Sequence, residues 1–203
     1  MNILLIKIHN NFCNYIPTKE NSMNLFLKGS KIIMGILSGN PQDEPLHYGE
    51  VFALWTSLSV AKFRLDSYQV YINHTGDEEL RDFLKQVIET SIKPSIKELE
   101  EVLLHNDIAV PPTPAERPEA DLEQIPVGAR FQDAQIAYMV GADIAASVVA
   151  CGQGVSQSIR EDIGLLFAQM GAKKAKDGAA LLQITKNKGW LVPPPLHHET
   201  KQQ

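Results

Sequence analysis

The stretch IAVPPTPAERPEADLEQIPVGARFQ, Ile108 to Gln132, lies between two long helical patterns and decides how they pack. Its five prolines forbid a regular helix, since proline lacks the backbone N–H and holds the residue before it in extended conformations. A structureless connection of 25 residues inside one domain has a functional or an architectural cause. The patterns on either side point to the second.

Upstream, Asp43-Glu44-Pro45 reads as a helix start, with acidic groups at the positive end of the dipole and proline in the first turn. From there to about His74, the residues Val51, Leu54, Trp55, Leu58, Ala61, Leu65, Tyr68 and Ile72 recur at three- and four-residue steps and form one apolar face. Thr75-Gly76-Asp77-Glu78 supplies a break and a predicted capping box between Thr75 and Glu78, so the chain turns back sharply. The second helix, Asp77 to about Asp107, carries a stripe from Leu80 through Val87, Ile92, Ile96 and Leu99 to Leu103. Pro94 falls inside it, and because the stripe resumes in phase at Ile96, a kink is expected there rather than an end. At about 1.5 Å per residue such a helix is about 46 Å long.

Downstream, Asp133 is the expected N-cap of a third helix reaching about Gln157, with Ile136, Val140, Ile144, Val148 and Cys151 as its apolar stripe. Its many Ala and Gly neighbours allow a close backbone approach and predict a central place in the fold. Ser158-Ile159-Arg160-Glu161 repeats the capping-box signature and opens a fourth helix, with Ile163, Leu166, Phe167, Met170 and Leu181 inside and Lys188-Gly189 at its end.

A few residues would join helices two and three in an up-down-up-down bundle. Twenty-five extended residues, at about 3.1 Å each, reach roughly 75 Å and can climb the whole bundle to start helix three parallel to helix two. The expected fold class is therefore all-α: a ferritin-like four-helix bundle made of two antiparallel helical hairpins joined by a long Pro-rich crossover, residues 108–132. The hairpin ends also match each other. Leu99, Val102, Ile108, Val110, Pro111 and Pro112 correspond to Leu181, Ile184, Trp190, Val192, Pro193 and Pro194 at a constant offset of 82, which suggests a duplicated unit.

With 203 residues, 44% of them hydrophobic and 21% charged, the chain is composed as one globular domain with a sizeable core. A net charge of −5 without clustered Lys and Arg argues against nucleic acid as a partner. No stretch approaches the roughly 18 to 20 apolar residues of a membrane span, so no membrane partner is expected. Cys13 and Cys151 are too few and too far apart for a disulfide framework or a Cys-based zinc site, and fit a reducing cytoplasm. Residues 1–33 stand apart: six Asn, six Ile and four Lys, but no Ala, Val, Asp or Arg. The expectation is that translation starts at Met34, with 1–33 a non-native or disordered extension, 34–198 the single bundle domain and 199–203 a disordered tail.

A bundle of this type raises the di-metal carboxylate site, which takes a Glu from each of two helices and a Glu-x-x-His from each of the other two. The third helix has neither Glu nor His and the fourth has no His, so that set is not supplied. A weaker cluster remains. Folding the first hairpin about residues 75 and 76 brings His47 and Glu50 level with Glu101 and His105, the candidate metal ligands. The same pattern also describes a solvated acidic face with a histidine near a helix C-terminus. Asp143 and Lys174 come level in the second hairpin and read as an interhelical ion pair, while Cys151 reads as packing. Without a phosphate loop or a nucleophile elbow, neither catalytic residues nor a cofactor are expected.

The blocks Met34-Gly35-Ile36-Leu37-Ser38-Gly39-Asn40-Pro41, Asn73-His74-Thr75-Gly76-Asp77, Ile125-Pro126-Val127-Gly128-Ala129-Arg130-Phe131 and Lys188-Gly189-Trp190-Leu191-Val192-Pro193-Pro194-Pro195 resemble the domain-of-unknown-function family 3231 of spore-forming bacilli. Val110-Pro111-Pro112, Glu116-Arg117-Pro118 and Ser158-Ile159-Arg160-Glu161-Asp162 add to the match, which runs from about Met34 to His198. The resemblance implies a ferritin-like bundle related to spore-coat proteins of the coat-F type, with no established catalytic residues to carry over. Together with the missing chemistry, it leads to an expected non-enzymatic structural or interaction protein of the cytoplasm or spore coat, which self-associates or binds spore-coat proteins. The alternative is a metal- or small-ligand-binding ferritin-like protein lacking a standard di-iron site. Mass spectrometry of the native protein is expected to yield no tryptic peptide from before Met34; one such peptide would refute the start-site reading.

Overall fold

A computed structural model describes residues 44–195; the expected extension 1–33 and tail 199–203 lie outside the described residues. Four long helices make up the fold: α1 (Tyr48–His74), α2 (residues 78–105), α3 (Asp133–Gln157) and α4 (Glu161–Asn187). Helix α1 starts later than the acidic Asp43-Glu44-Pro45 signal suggested. Its N-cap is His47, whose ring accepts from Gly49 N while the Glu50 carboxylate accepts from His47 N, a closed capping box that fixes the first turn.

Side-chain ties between helices give their directions. Lys62 meets Glu100 across α1 and α2, and Arg64 meets Asp143 across α1 and α3. Near one end of the bundle Thr75 meets Asp133, and near the other His47 meets Gln157. Lys188 meets Asp77 and Lys173 meets Glu98 across α4 and α2. So α1 is antiparallel to both α2 and α3, which leaves α2 and α3 parallel, as the crossover length predicted. The crossover climbs α1 as a strap. Trp55 Nε1 donates to Ala109 O, Lys62 Nζ to Pro111 O, Gln69 accepts from Arg117 N, and Asn73 bonds Pro118 O and Ala120 N. The bidentate Arg117–Asp66 pair at 2.5 and 3.0 Å holds its middle.

Helix α2 continues past Pro94, as the in-phase stripe predicted, and widens one turn earlier, with a π-helical segment Ile88–Ile92 between the α-helical Glu78–Val87 and Lys93–His105. The ring of an interior proline collides with the carbonyl four residues back, and the wider π turn moves that carbonyl aside. The core stripes otherwise match the sequence periodicity: Leu54, Leu58, Tyr68, Leu80, Leu84, Leu99, Leu103, Ile136, Val140, Ile163 and Phe167 are all buried. On α3 the stripe holds at Ile136, Val140, Ile144 and Cys151, which are buried, and fails at Val148, which is 36% exposed. The small residues of α3 split. Gly154 lies against the Phe167 ring, where a Cβ would come within 2.5 Å of the ring, whereas Ala142, Ala145, Ala146 and Gly152 face outward.

The structure extends the duplication to both whole hairpins. At an offset of 83, buried Leu80, Leu84 and Val87 correspond to buried Ile163, Phe167 and Met170; beyond the π segment the offset is 82, pairing Leu99 with Leu181. The π segment is thus a one-residue insertion into α2 relative to α4. Both hairpins end in the same Schellman cap: Ile108 N donates to Leu103 O, and Trp190 N to Thr185 O. The left-handed residues, Asp107 (φ 56) and Gly189 (φ 71), also correspond at 82. Arg64 and Ser147 correspond at 83 and hydrogen-bond to each other, which puts their contact on the pseudo-twofold axis.

Candidate functional site

Neither predicted capping box forms at the hairpin turns, and a carboxylate from the other hairpin meets each turn. At the start of α4, Ser158 Oγ donates back to Gly154 O, and the N-cap Arg160 makes no side-chain cap. The free donors there are taken by Glu50, whose Oε1 accepts from Ile159 N at 2.9 Å and Arg160 N at 2.8 Å. At the start of α2 the N-cap is Asp77, which accepts from Leu80 N, while Thr75 and Gly76 N both donate to Asp133 Oδ1 at 2.6 and 3.0 Å. Asp133 is the first residue of α3, with Gln132 ahead of it as N-cap. Each hairpin turn is therefore held by an acid from the first turn of the partner hairpin, and Glu50 and Asp133 correspond at the offset of 83.

This placement decides what the candidate ligands can do. Glu50 is 1% exposed, and its two oxygens are filled by three backbone N–H groups. His47 Nδ1 accepts from Gly49 N, so its Nε2 is the donor to Gln157 O at 3.1 Å, and both ring nitrogens are occupied. Glu101 and His105 are exposed, with Glu101 beside Lys97 at 3.8 Å. Among the described residues no three His, Cys, Asp or Glu side chains gather into a metal-holding group. The one Glu-x-x-His spacing in the chain, Glu44 to His47, precedes α1, and the Glu44 carbonyl accepts from Arg160 Nη1. Arg160, buried at 2% exposure, also binds Asn106 and pairs with Asp162, joining three segments at this end.

A second polar centre lies at mid-bundle. Asp143 pairs with Arg64, not with Lys174 as its level in the hairpin suggested: Arg64 Nε and Nη2 reach its two oxygens at 2.6 and 3.0 Å, and Tyr68 Oη donates to it at 3.1 Å. Sequence reading missed Arg64 because it treated each hairpin separately. Lys174 is 6% exposed and has no ion-pair partner within 4.0 Å among the described residues. Burial, with Arg64 nearby, lowers its affinity for a proton. Burial also raises the Asp177 carboxyl, against a hydrogen bond from Ser91, and raises Tyr68 and the Cys151 thiol. A thiol kept protonated is a packing group rather than a nucleophile, in line with the sequence reading.

Beneath the strap, a groove of about 310 Å³ runs beside the π segment, lined by Ile72, Asn73, Lys85, Ile88, Lys93 and Arg117 among others. Its cations are already matched: Lys85 to Glu119 at 3.3 Å, Lys93 to Glu89 at 2.5 Å and Arg117 to Asp66. The groove holds the strap and leaves no uncompensated charge for a ligand.

Comparison with known proteins places these features in a family. Residues 34–202 match the family described as "Protein of unknown function (DUF3231)". The chain is 49% identical over 164 residues to the "Uncharacterized protein YvdQ" of Bacillus subtilis strain 168, covering 81% of this chain and 96% of that protein. It is also similar to the crystal structure of a "putative spore coat protein" from Bacillus halodurans C-125, with a TM-score of 0.77 and 48% identity over 79% of this chain and 100% of that one. One stretch, residues 127–157, is long and apolar enough by composition to cross a membrane, which corrects the expectation that no stretch approaches such a span; here its residues 133–157 pack as α3 in the bundle.

Two stability measurements test the site. Glu50→Ala strands three N–H donors and is expected to cost about 3 kcal/mol by chemical denaturation, more than Asp133→Ala; unchanged stability would refute the cap, and a metal-dependent melting shift in the wild type would restore the ligand reading. Lys174→Met removes a buried cation and is expected to add about 1–2 kcal/mol. Because the Lys174 proton is held more weakly in the folded state, that advantage should be full below the lowered pKa and disappear as pH rises towards the ordinary 10.5. An advantage that does not change with pH would mean that Met stabilises by packing alone.

Proposed function

The chain belongs to the DUF3231 family of proteins of unknown function, and from that premise we propose that it is a non-catalytic structural protein of the spore, made in the cytoplasm and assembled on the coat. The observation that carries this reading is the commitment of the buried Glu50, whose two oxygens take three backbone N–H groups, two of them from the opposite hairpin; Asp133 Oδ1 likewise takes the Thr75 hydroxyl and Gly76 N, and Asp143 is bound by Arg64 and Tyr68. A catalytic or metal-holding carboxylate keeps an open valence, and Glu50, the one buried member of the candidate ligand set, has none to give. The ferritin-like connectivity then serves as a rigid four-helix block in place of a cage for metal. The description borne by the similar protein of Bacillus halodurans supplies the cellular setting.

The test is quantitative proteomics of purified spores against vegetative cells of the native host. Enrichment in the coat fraction is the expected result. Presence in vegetative cytosol with absence from spores would refute the proposal.

A further inference from the structure

The two halves of the duplicated fold differ most in what covers them. Over the first half the strap lies on α1, held by Trp55, Lys62, Asp66, Gln69 and Asn73. Their counterparts in α3, at the offset of 83, are Tyr138, Ala145, Val149, Gly152 and Ser156. All five are exposed, Tyr138 at 77% and Val149 at 62%. On the neighbouring helix, Lys85 and Lys93 beside the strap become Ala168 and Ala175, and Glu100 becomes Leu182, which is 43% exposed. The polar anchors of a strap have been exchanged for a face of apolar and small residues. On α3 that face recurs at 138, 142, 145, 149, 152 and 156, the alternating four-and-three spacing of a helix that packs along another helix.

The chain's own strap-like segment does not take up this face where it is described. Val110 and Pro111 are packed at the start of the crossover, whereas their counterparts Val192 and Pro193 are exposed, Val192 at 89%. With Lys62 replaced by Ala145 and Asn73 by Ser156, the donors that hold the crossover carbonyls are missing or shortened.

We propose that the α3–α4 face is the contact between two copies of this chain, packed about a twofold axis. Charge selects a second copy as the occupant. Between Asp133 and Gln157 the only charged side chain is Asp143, turned inward to Arg64, so the face meets its own copy without opposing like charges. The cations of α4, Lys173 and Lys176, stand beside the stripe, and Lys173 is paired with Glu98. Area fits as well. A stripe spanning 138–156 is about 27 Å long and, across two helices, roughly 20 Å wide, a flat footprint on the order of 550 Å². Side-chain relief at Tyr138, Val149 and Leu182 brings this towards the roughly 800 Å² per partner of a stable interface. Small residues let the facing backbones approach closely, and the Tyr138 ring at the end of the stripe can act as the aromatic anchor.

The proposal deepens the structural reading above but is tested on purified full-length protein, so it stands or falls independently of where the protein is found. Sedimentation velocity should give about twice the chain mass of 22.5 kDa. Val149→Glu and Ala172→Glu, both exposed and outside the core, should keep the wild-type helical spectrum and melting cooperativity and sediment as monomers, with the dimer dissociation constant raised at least about 100-fold. Gln86→Glu, on the outer face of α2, should leave the dimer intact. A wild-type protein that is monomeric at about 100 µM would overturn the proposal, whether or not it binds lipid vesicles. Folded Val149→Glu and Ala172→Glu variants that remain dimeric would overturn it equally.

Discussion

The structure depends on two carboxylates that cross between hairpins. A helix start leaves backbone N–H groups without partners, and a tight turn between antiparallel helices has little room for water to supply them. Glu50 fills those of the 158–160 turn and Asp133 those of the 75–76 turn, each from the opposite half of the chain. The same bonds that finish the helices therefore also dock the hairpins. Asp77 caps α2 from within its own hairpin, but the N–H groups of residues 76, 159 and 160 are met across hairpins, so turn formation and global assembly are coupled through two side chains at opposite ends of the bundle.

Between those ends the interior holds a polar pair where an apolar layer could have been. The Arg64–Asp143 bridge, closed by Tyr68 and Ser147, lies on the pseudo-twofold axis and fixes α1 against α3 in register and rotation. A buried pair of this kind contributes little net stability, because desolvation offsets most of its attraction, but it penalises any slipped arrangement that leaves one charge alone. Lys62 does similar work at the edge, tying α1 to Glu100 of α2 and to the strap at Pro111. The strap is thus bound through side chains of α1, which explains why its own sequence can be so rich in proline.

Periodicity and proline content made the helices, their turns and the parallel relation of α2 and α3 legible in the sequence, because each follows from chain length and local chemistry. The site was less legible. His47 and Glu50 stood out as residue types that bind metal, yet they act as a capping box and a distant cap; recognising this requires knowing that residue 50 meets residue 160. Ser158 and Thr75 carried good local cap signatures and lost to carboxylates, Ser158 to the distant Glu50 and Thr75 to the neighbouring Asp77, since a carboxylate is the stronger acceptor for a helix N-terminus. Asp143 was singled out correctly but given the wrong partner, because the pairing was sought within its own hairpin. The small residues of α3 were legible only in part: Gly154 meets the Phe167 ring as a close approach requires, whereas Ala142, Ala145, Ala146 and Gly152 face outward.

The π turn at Ile88–Ile92 has a consequence for how the two halves can drift apart. One additional residue in an α-helix turns everything after it by about 100° unless a wide turn absorbs it. Here the widening absorbs it within five residues, and the downstream stripe, the Schellman cap and the left-handed Asp107 all return to the places held by their counterparts in α4. Within that segment, Ile88 and Glu89 line the groove beneath the strap. The fold has in effect localised an indel: one copy of the repeat could change length, and so acquire a surface of its own, without altering the frame that the two copies share.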